Sequence, residues 1–85
     1  MTNKQFWENY SFIMRSKQRK IVIAVMNKPM TVTEIKKKAN LSLSETSRVL
    51  RAFKKQGLAE CLNPNDVIGR VYQLLEKGNS IKEKL

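Results

Sequence analysis

From Thr31 to Ala59 the chain reads TVTEIKKKANLSLSETSRVLRAFKKQGLA. It contains the same device twice. Thr31 stands three residues before Glu34, and Ser42 three residues before Glu45. In this arrangement the hydroxyl accepts from the backbone N–H of the acidic residue, and the carboxylate accepts from the backbone N–H of the hydroxyl residue. Two helices are therefore predicted, one starting at about Val32 and one at Leu43. The first closes at Asn40, which tolerates the left-handed conformation, and the second at Gly57, which favours it. Only Asn40, Leu41 and Ser42 join them. A connection this short has helix-turn-helix geometry, which some purely structural helical hairpins share.

The helical repeat places Leu43, Thr46, Val49, Leu50 and Phe53 on one side of the second helix, with Ser44, Ser47, Arg48, Arg51 and Lys55 almost opposite. The first set is the predicted core face. The second set has two arginines able to fork hydrogen bonds to guanine, two short hydroxyls and no acid. Glu45 sits off that face, where it serves the Ser42 cap and the positive end of the helix dipole. A solvated helix more often mixes both signs through Glu–Lys pairs. A face of one sign, with small residues near its N-terminus, suits close approach to base edges.

Upstream, SKQRKIVIAVMNKPM (Ser16–Met30) is β-branched enough for a strand, but Ser16 and the charged lead-in favour a capped helix, with Pro29 ending it. Before it, in NKQFWENYSFIMRS, Phe6, Tyr10 and Ile13 recur at helical spacing and Trp7 and Met14 widen the face. A helix over about 3–14 is predicted, its aromatic stripe packing on its own domain or on a second copy. Beyond Gly57, LAECLNPNDVIGRVYQLL has two extended segments around the turn-forming Asn63-Pro64-Asn65-Asp66, which predicts a β-hairpin. Tyr72 and Leu74 fall on one face of its second strand, Val71 and Gln73 on the other. A weak helix over about 75–85 follows, interrupted by Gly78, with Ile81 and Leu85 one turn apart.

A chain of 85 residues holds one small core, so a single domain is expected. Lys and Arg number 17 against 7 Asp and Glu, a net charge of +10 that attracts phosphate polymers or anionic membranes. The chain has no His and one Cys, which excludes His-dependent triads, four-ligand zinc sites and an internal disulfide, and suits a reducing cytoplasm. The apolar run Ile21–Met26 is too short to span a bilayer, and residues 1–10 lack the order of a signal peptide. No membrane partner and no cofactor are expected. An enzyme is the least expected class, since no nucleophile–base pair, phosphate-cradling glycine loop or metal cluster is present. Cys61 reads as a small strand residue in preference to a redox switch.

Three pieces together resemble the winged helix-turn-helix regulators of the MarR/ArsR type, especially the small archaeal members: RSKQRKIVIAVMNKPMTVTEI, LSLSETSRVLRAFKKQGLAE and GRVYQLLEKG. The second is similar to the family's Ser-x-x-Ser-Arg-x-Leu recognition helix and Gly-Leu entry to the wing. The third is similar to its Gly-Arg-x-Tyr-x-Leu-Thr-x-x-Gly close. The resemblance implies a mainly helical α+β fold with a three-helix core, a β-hairpin wing and extra N- and C-terminal helices. It also implies a homodimer on a pseudo-palindromic duplex. Carried over by position, Ser44, Ser47, Arg48 and Arg51 would enter the major groove. Lys54 and Lys55, with Thr33, Lys36, Lys37 and Lys38, would meet phosphates, and Arg70 takes the place of the wing arginine.

The departures are specific. The wing has Asp66, Val67 and Ile68 where a basic tip is usual, which argues against minor-groove insertion. Leu75 stands where the family often has a capping Thr, and the clustered Cys or His ligands of metal-sensing members are missing. Within these 85 residues no separate effector domain is expected. The expectation is a sequence-specific double-stranded DNA-binding regulator. Phe6, Trp7, Tyr10, Ile13, Ile81 and Leu85 are the expected dimer interface. The rivals are a winged helix used for protein contacts and a nonspecific nucleic-acid binder.

Overall fold

The computed structural model describes residues 2–85. Helix α1 (Asn3–Met14) starts on a capping box that pairs Thr2 with Gln5, in which the Thr2 hydroxyl accepts the Gln5 N–H at 3.2 Å. Helix α2 (Lys17–Val25) starts at Ser16, whose hydroxyl accepts the Arg19 N–H at 3.3 Å. The helical reading of this β-branched segment is correct, but Pro29 does not end it. The backbone leaves the helix at Met26 (φ −82°, ψ 78°), whose side chain is buried and whose carbonyl accepts from Lys82 Nζ at 3.0 Å.

The two predicted capping boxes are both formed. Helix α3 (Val32–Ala39) has reciprocal Thr31–Glu34 bonds of 3.1 and 3.0 Å, and helix α4 (Leu43–Lys55) has Ser42–Glu45 bonds of 3.1 Å each way. Both helices also close alike. Asn40 takes the left-handed conformation (φ 56°, ψ 48°), and the N–H of Leu41 reaches back to the Lys36 carbonyl at 3.2 Å. Gly57 does the same at φ 73°, with Leu58 N–H donating to the Phe53 carbonyl at 2.9 Å. These back-bonds satisfy carbonyls that a helix end leaves without partners.

Three short strands form one antiparallel sheet. The hairpin strands β2 (Ala59–Cys61) and β3 (Val71–Leu74) pair Ala59 with Leu74 and Cys61 with Tyr72. A third strand, β1 (Met30–Thr31), lies on the other side of β3 with Met30 opposite Tyr72. It went unforeseen because two residues cannot display an alternation; only the partner strand makes them a strand. Helix α5 (Glu76–Glu83) completes the chain without a side-chain cap, as expected of Leu75.

Ile13, Val22, Ile23, Met30, Ile35, Leu50, Phe53, Leu58 and Ile81 are fully buried in one core. This corrects three expectations. Ile13 and Ile81 are closed off within the protomer and are not available to a partner, because α1 and α5 pack on α2 and on each other. Leu43 belongs to the exposed side of α4, with 55% of its surface open, where it lines a depression with Ser44, Ser47, Arg48 and Arg51. Gly78 does not interrupt α5; it lets the helix sit on the chain at Leu58, where a Cβ would come within 2.3 Å of the Leu58 carbonyl oxygen.

Candidate nucleic-acid interface

The inward residues Thr46, Val49, Leu50 and Phe53 hold α4 by their burial, so its other side is presented as one surface. Thr46 spends its hydroxyl on the Ser42 carbonyl at 2.9 Å, which makes full burial compatible with a polar side chain. On the outer side Ser44, Ser47, Arg48 and Arg51 line a single shallow depression together with Leu43. Ser47 is half-buried and the other three are exposed.

Glu45, the acid of this helix, is held away from that depression. One carboxylate oxygen accepts the Ser42 N–H, and the other accepts the side-chain amide of Gln18 from α2. The hydrogen bonds from Ser42, backbone first and side chain second, hold its pKa below the ordinary 4.5, and the nearby Arg48 charge adds to them. The depression is therefore lined by two arginines and no acid. Gln18 was not foreseen; a glutamine 27 positions away gives no local signal that it will meet the cap.

The wing is built around one side chain. Asn63 donates to the Asp66 carboxylate at 2.9 Å and to the Gly69 carbonyl at 3.1 Å, while its own carbonyl accepts the Val71 N–H at 2.7 Å and the Cys61 thiol at 3.6 Å. Arg70 Nε donates to the Asp66 carbonyl at 2.7 Å, tying the returning strand to the turn. Between these bonds the tip presents Val67 and Ile68, 86% and 91% exposed. A groove runs between this tip and α4, lined by Thr33, Leu43, Ser47, Arg51, Ile68 and Arg70 among others.

Thr33 and Arg70 thus join the α4 face in one groove, whereas Lys36, Lys37, Lys38, Lys54 and Lys55 lie outside both depressions. Lys36 is half-buried in the last turn of α3 with Lys37 and Lys38 exposed beside it, and Lys54 and Lys55 are exposed at the end of α4. Cys61 is half-buried on β2, as a small strand residue. Among the described residues no group of three His, Cys, Asp or Glu could hold a metal ion, and no helix is long and apolar enough to cross a membrane.

A second surface belongs to α1 and its neighbours. Phe6 meets Trp7 edge-on at 5.0 Å and stacks on Tyr10 at 6.2 Å, leaving Trp7 56% exposed. Tyr10, Met14, Ile21, Ala24 and Leu85 line an apolar hollow bordered by Lys20 and Lys84. Four of the six expected interface residues, Phe6, Trp7, Tyr10 and Leu85, therefore retain accessible surface.

Solved structures share this arrangement. The multiple antibiotic-resistance repressor MarR from Listeria monocytogenes superposes with a TM-score of 0.75 at 20% identity, over 95% of this chain and 57% of its own. NadR, solved in complex with 4-hydroxyphenylacetate, gives 0.71 at 18% identity, over 95% and 62%. A MarR family transcriptional regulator from Silicibacter pomeroyi gives 0.72 at 16%, over 95% and 61%. At such identities the likeness is one of fold, a winged helix, and the chain spans about six-tenths of the length of these structures. No curated protein matches the sequence. Residues 15–60, which run from before α2 to the middle of β2 and make up more than half of the chain, match the family described as bacterial regulatory protein, arsR family. The chain therefore belongs to the arsR family of bacterial regulatory proteins.

Proposed function

We propose that the protein binds double-stranded DNA sequence-specifically, as a homodimeric transcriptional regulator with α4 in the major groove. The observation that carries this reading is the acid-free depression of Ser44, Ser47, Arg48 and Arg51, from which Glu45 has been withdrawn into the cap. Arg48 and Arg51 can each fork two donors onto a guanine edge, and the serines at the start of the helix keep its backbone close to the bases. The exposed lysines at the ends of α3 and α4, together with Thr33 and Arg70, supply phosphate contacts, which contribute most of the affinity and little of the selectivity. Pairing of two copies through Phe6, Trp7, Tyr10 and Leu85 is supported by the aromatic stripe and the apolar hollow. It would present two copies of α4 to one duplex.

Selection of bound duplexes from a random pool tests this directly. A two-fold symmetric consensus is expected. Recovery of unrelated sequences would instead establish a nonspecific binder, and association with a protein that ignores salt would favour the protein-contact rival.

A further inference from the structure

We propose that the wing tip, Val67 and Ile68, acts on DNA as an apolar wedge that enters the minor groove beside the α4 site and partly unstacks one base step. The inference rests on the DNA-binding reading above. The absence of a basic tip argues against minor-groove insertion by a charged finger. It does not argue against a wedge, and the structure supplies what a wedge requires.

First, the two side chains are presented to solvent almost completely, although Val and Ile are among the residues most often found buried. Second, the tip is anchored. Asn63 bonds to Asp66, Gly69 and Val71, and Arg70 holds the Asp66 carbonyl, so little further ordering is needed when the tip is inserted. Third, the tip is continuous with the candidate interface. Val67 and Ile68 line the same groove as Thr33, Ser47, Arg51 and Arg70. A sugar–phosphate strand lying in that groove would meet Thr33, Arg51 and Arg70, with α4 on its major-groove side and the tip on its minor-groove side.

Charge favours this occupant over an apolar protein surface. The groove beside the tip is lined by Arg51 and Arg70 and by no acid, and these two cations outnumber the one carboxylate of the tip, Asp66. Aliphatic side chains such as Ile pushed between base pairs unstack a step and kink the duplex towards the major groove. The cost is least at pyrimidine–purine steps, so the wedge would add a preference for flexible flanking steps, not for particular bases.

The test uses the full chain and the consensus duplex from the selection, with 2-aminopurine placed in turn at each flanking step. Binding of the unaltered protein is expected to raise the fluorescence at one flank of each half-site. The double variant Val67→Ser, Ile68→Ser should select the same bases under α4 but lose the preference at the flanking steps, bind the consensus about ten-fold more weakly and leave the fluorescence flat. Ile68→Leu should keep the signal. Both positions are exposed, so an unchanged melting temperature excludes misfolding as the cause. A flat signal with the unaltered protein, or full affinity and signal in the serine variant, would overturn the wedge. So would a serine variant that loses only association between protein copies, since the tip would then be a protein contact. Failure to recover any consensus would count instead against the reading on which the wedge rests.

Discussion

Replacing Gly78 by alanine sets two effects against each other, and the structure decides between them. Helix propensity alone predicts a gain, because Gly in a helix costs about 0.5–1 kcal/mol relative to Ala. Packing opposes it. The added Cβ would lie 2.3 Å from the Leu58 carbonyl oxygen, whereas such contacts essentially never fall below 3.0 Å, so the two segments must separate by about 0.7 Å. That oxygen cannot swing aside. It accepts the Leu75 N–H at 2.9 Å, the Leu58 N–H is bonded to the Phe53 carbonyl at 2.9 Å, and the Leu58 side chain is fully buried.

Overpacking against a fixed neighbour costs about 1–3 kcal/mol, and contact with an immobile backbone places this case at the upper end. The net expectation for Gly78→Ala is a loss of about 2 kcal/mol, seen as a melting temperature lower by about 10 °C for a domain of this size. Thermal and urea melts would measure it. Asn79→Ala, at the exposed neighbouring position of the same helix, serves as the control and should change stability by no more than about 0.5 kcal/mol. A Gly78→Ala protein as stable as the parent, or more so, would refute the close approach of α5 to Leu58. Because Leu58 joins α4 to the wing, the same misfit should also loosen the groove between them.

Three further outcomes are expected. Arg48→Ala should relax the preference at one base position at a cost of about 1–3 kcal/mol, whereas Lys55→Ala should weaken all duplexes alike and reduce the salt slope by about one; equal losses on cognate and scrambled duplex for both would contradict this division. The bonds from Thr31 and Ser42 lower the pKa values of Glu34 and Glu45 below 4.5 in the folded chain. Their stabilisation is complete above about that pH and is lost as pH falls through the folded values, so acid titration of stability should be flatter in a Thr31→Ala, Ser42→Ala variant. Asn63→Ala leaves the Val71 N–H and the Gly69 carbonyl without their side-chain partner; the Val71 amide should exchange faster with solvent, by about ten-fold or more, while amides of α4 such as Leu50 keep their protection.

The features that residue type and spacing set are local in their physics. The starts of α2, α3 and α4, the left-handed closure at Asn40 and Gly57, and the diversion of Glu45 to its cap all depend on bonds between residues at most five apart. Such bonds form wherever the helix forms, so residue type and spacing suffice to read them. The polar face of α4 was legible for the same reason: it follows from the helical repeat.

The remaining features come from packing between segments distant in the chain. Met30 and Thr31 are a strand because Tyr72 and Val71 lie opposite them. Ile13 and Ile81 left the expected interface because α1 and α5 bury them against α2. Leu43 has the pattern of a core residue but stands where nothing covers it, and Gly78 looks like a helix breaker until Leu58 is placed beside it. The groove that unites α4 with the wing brings Thr33, Arg51 and Ile68 together from three segments. Each of these depends on which distant surface a residue meets, and that is set by how the helices pack, not by the residues next to it in the chain.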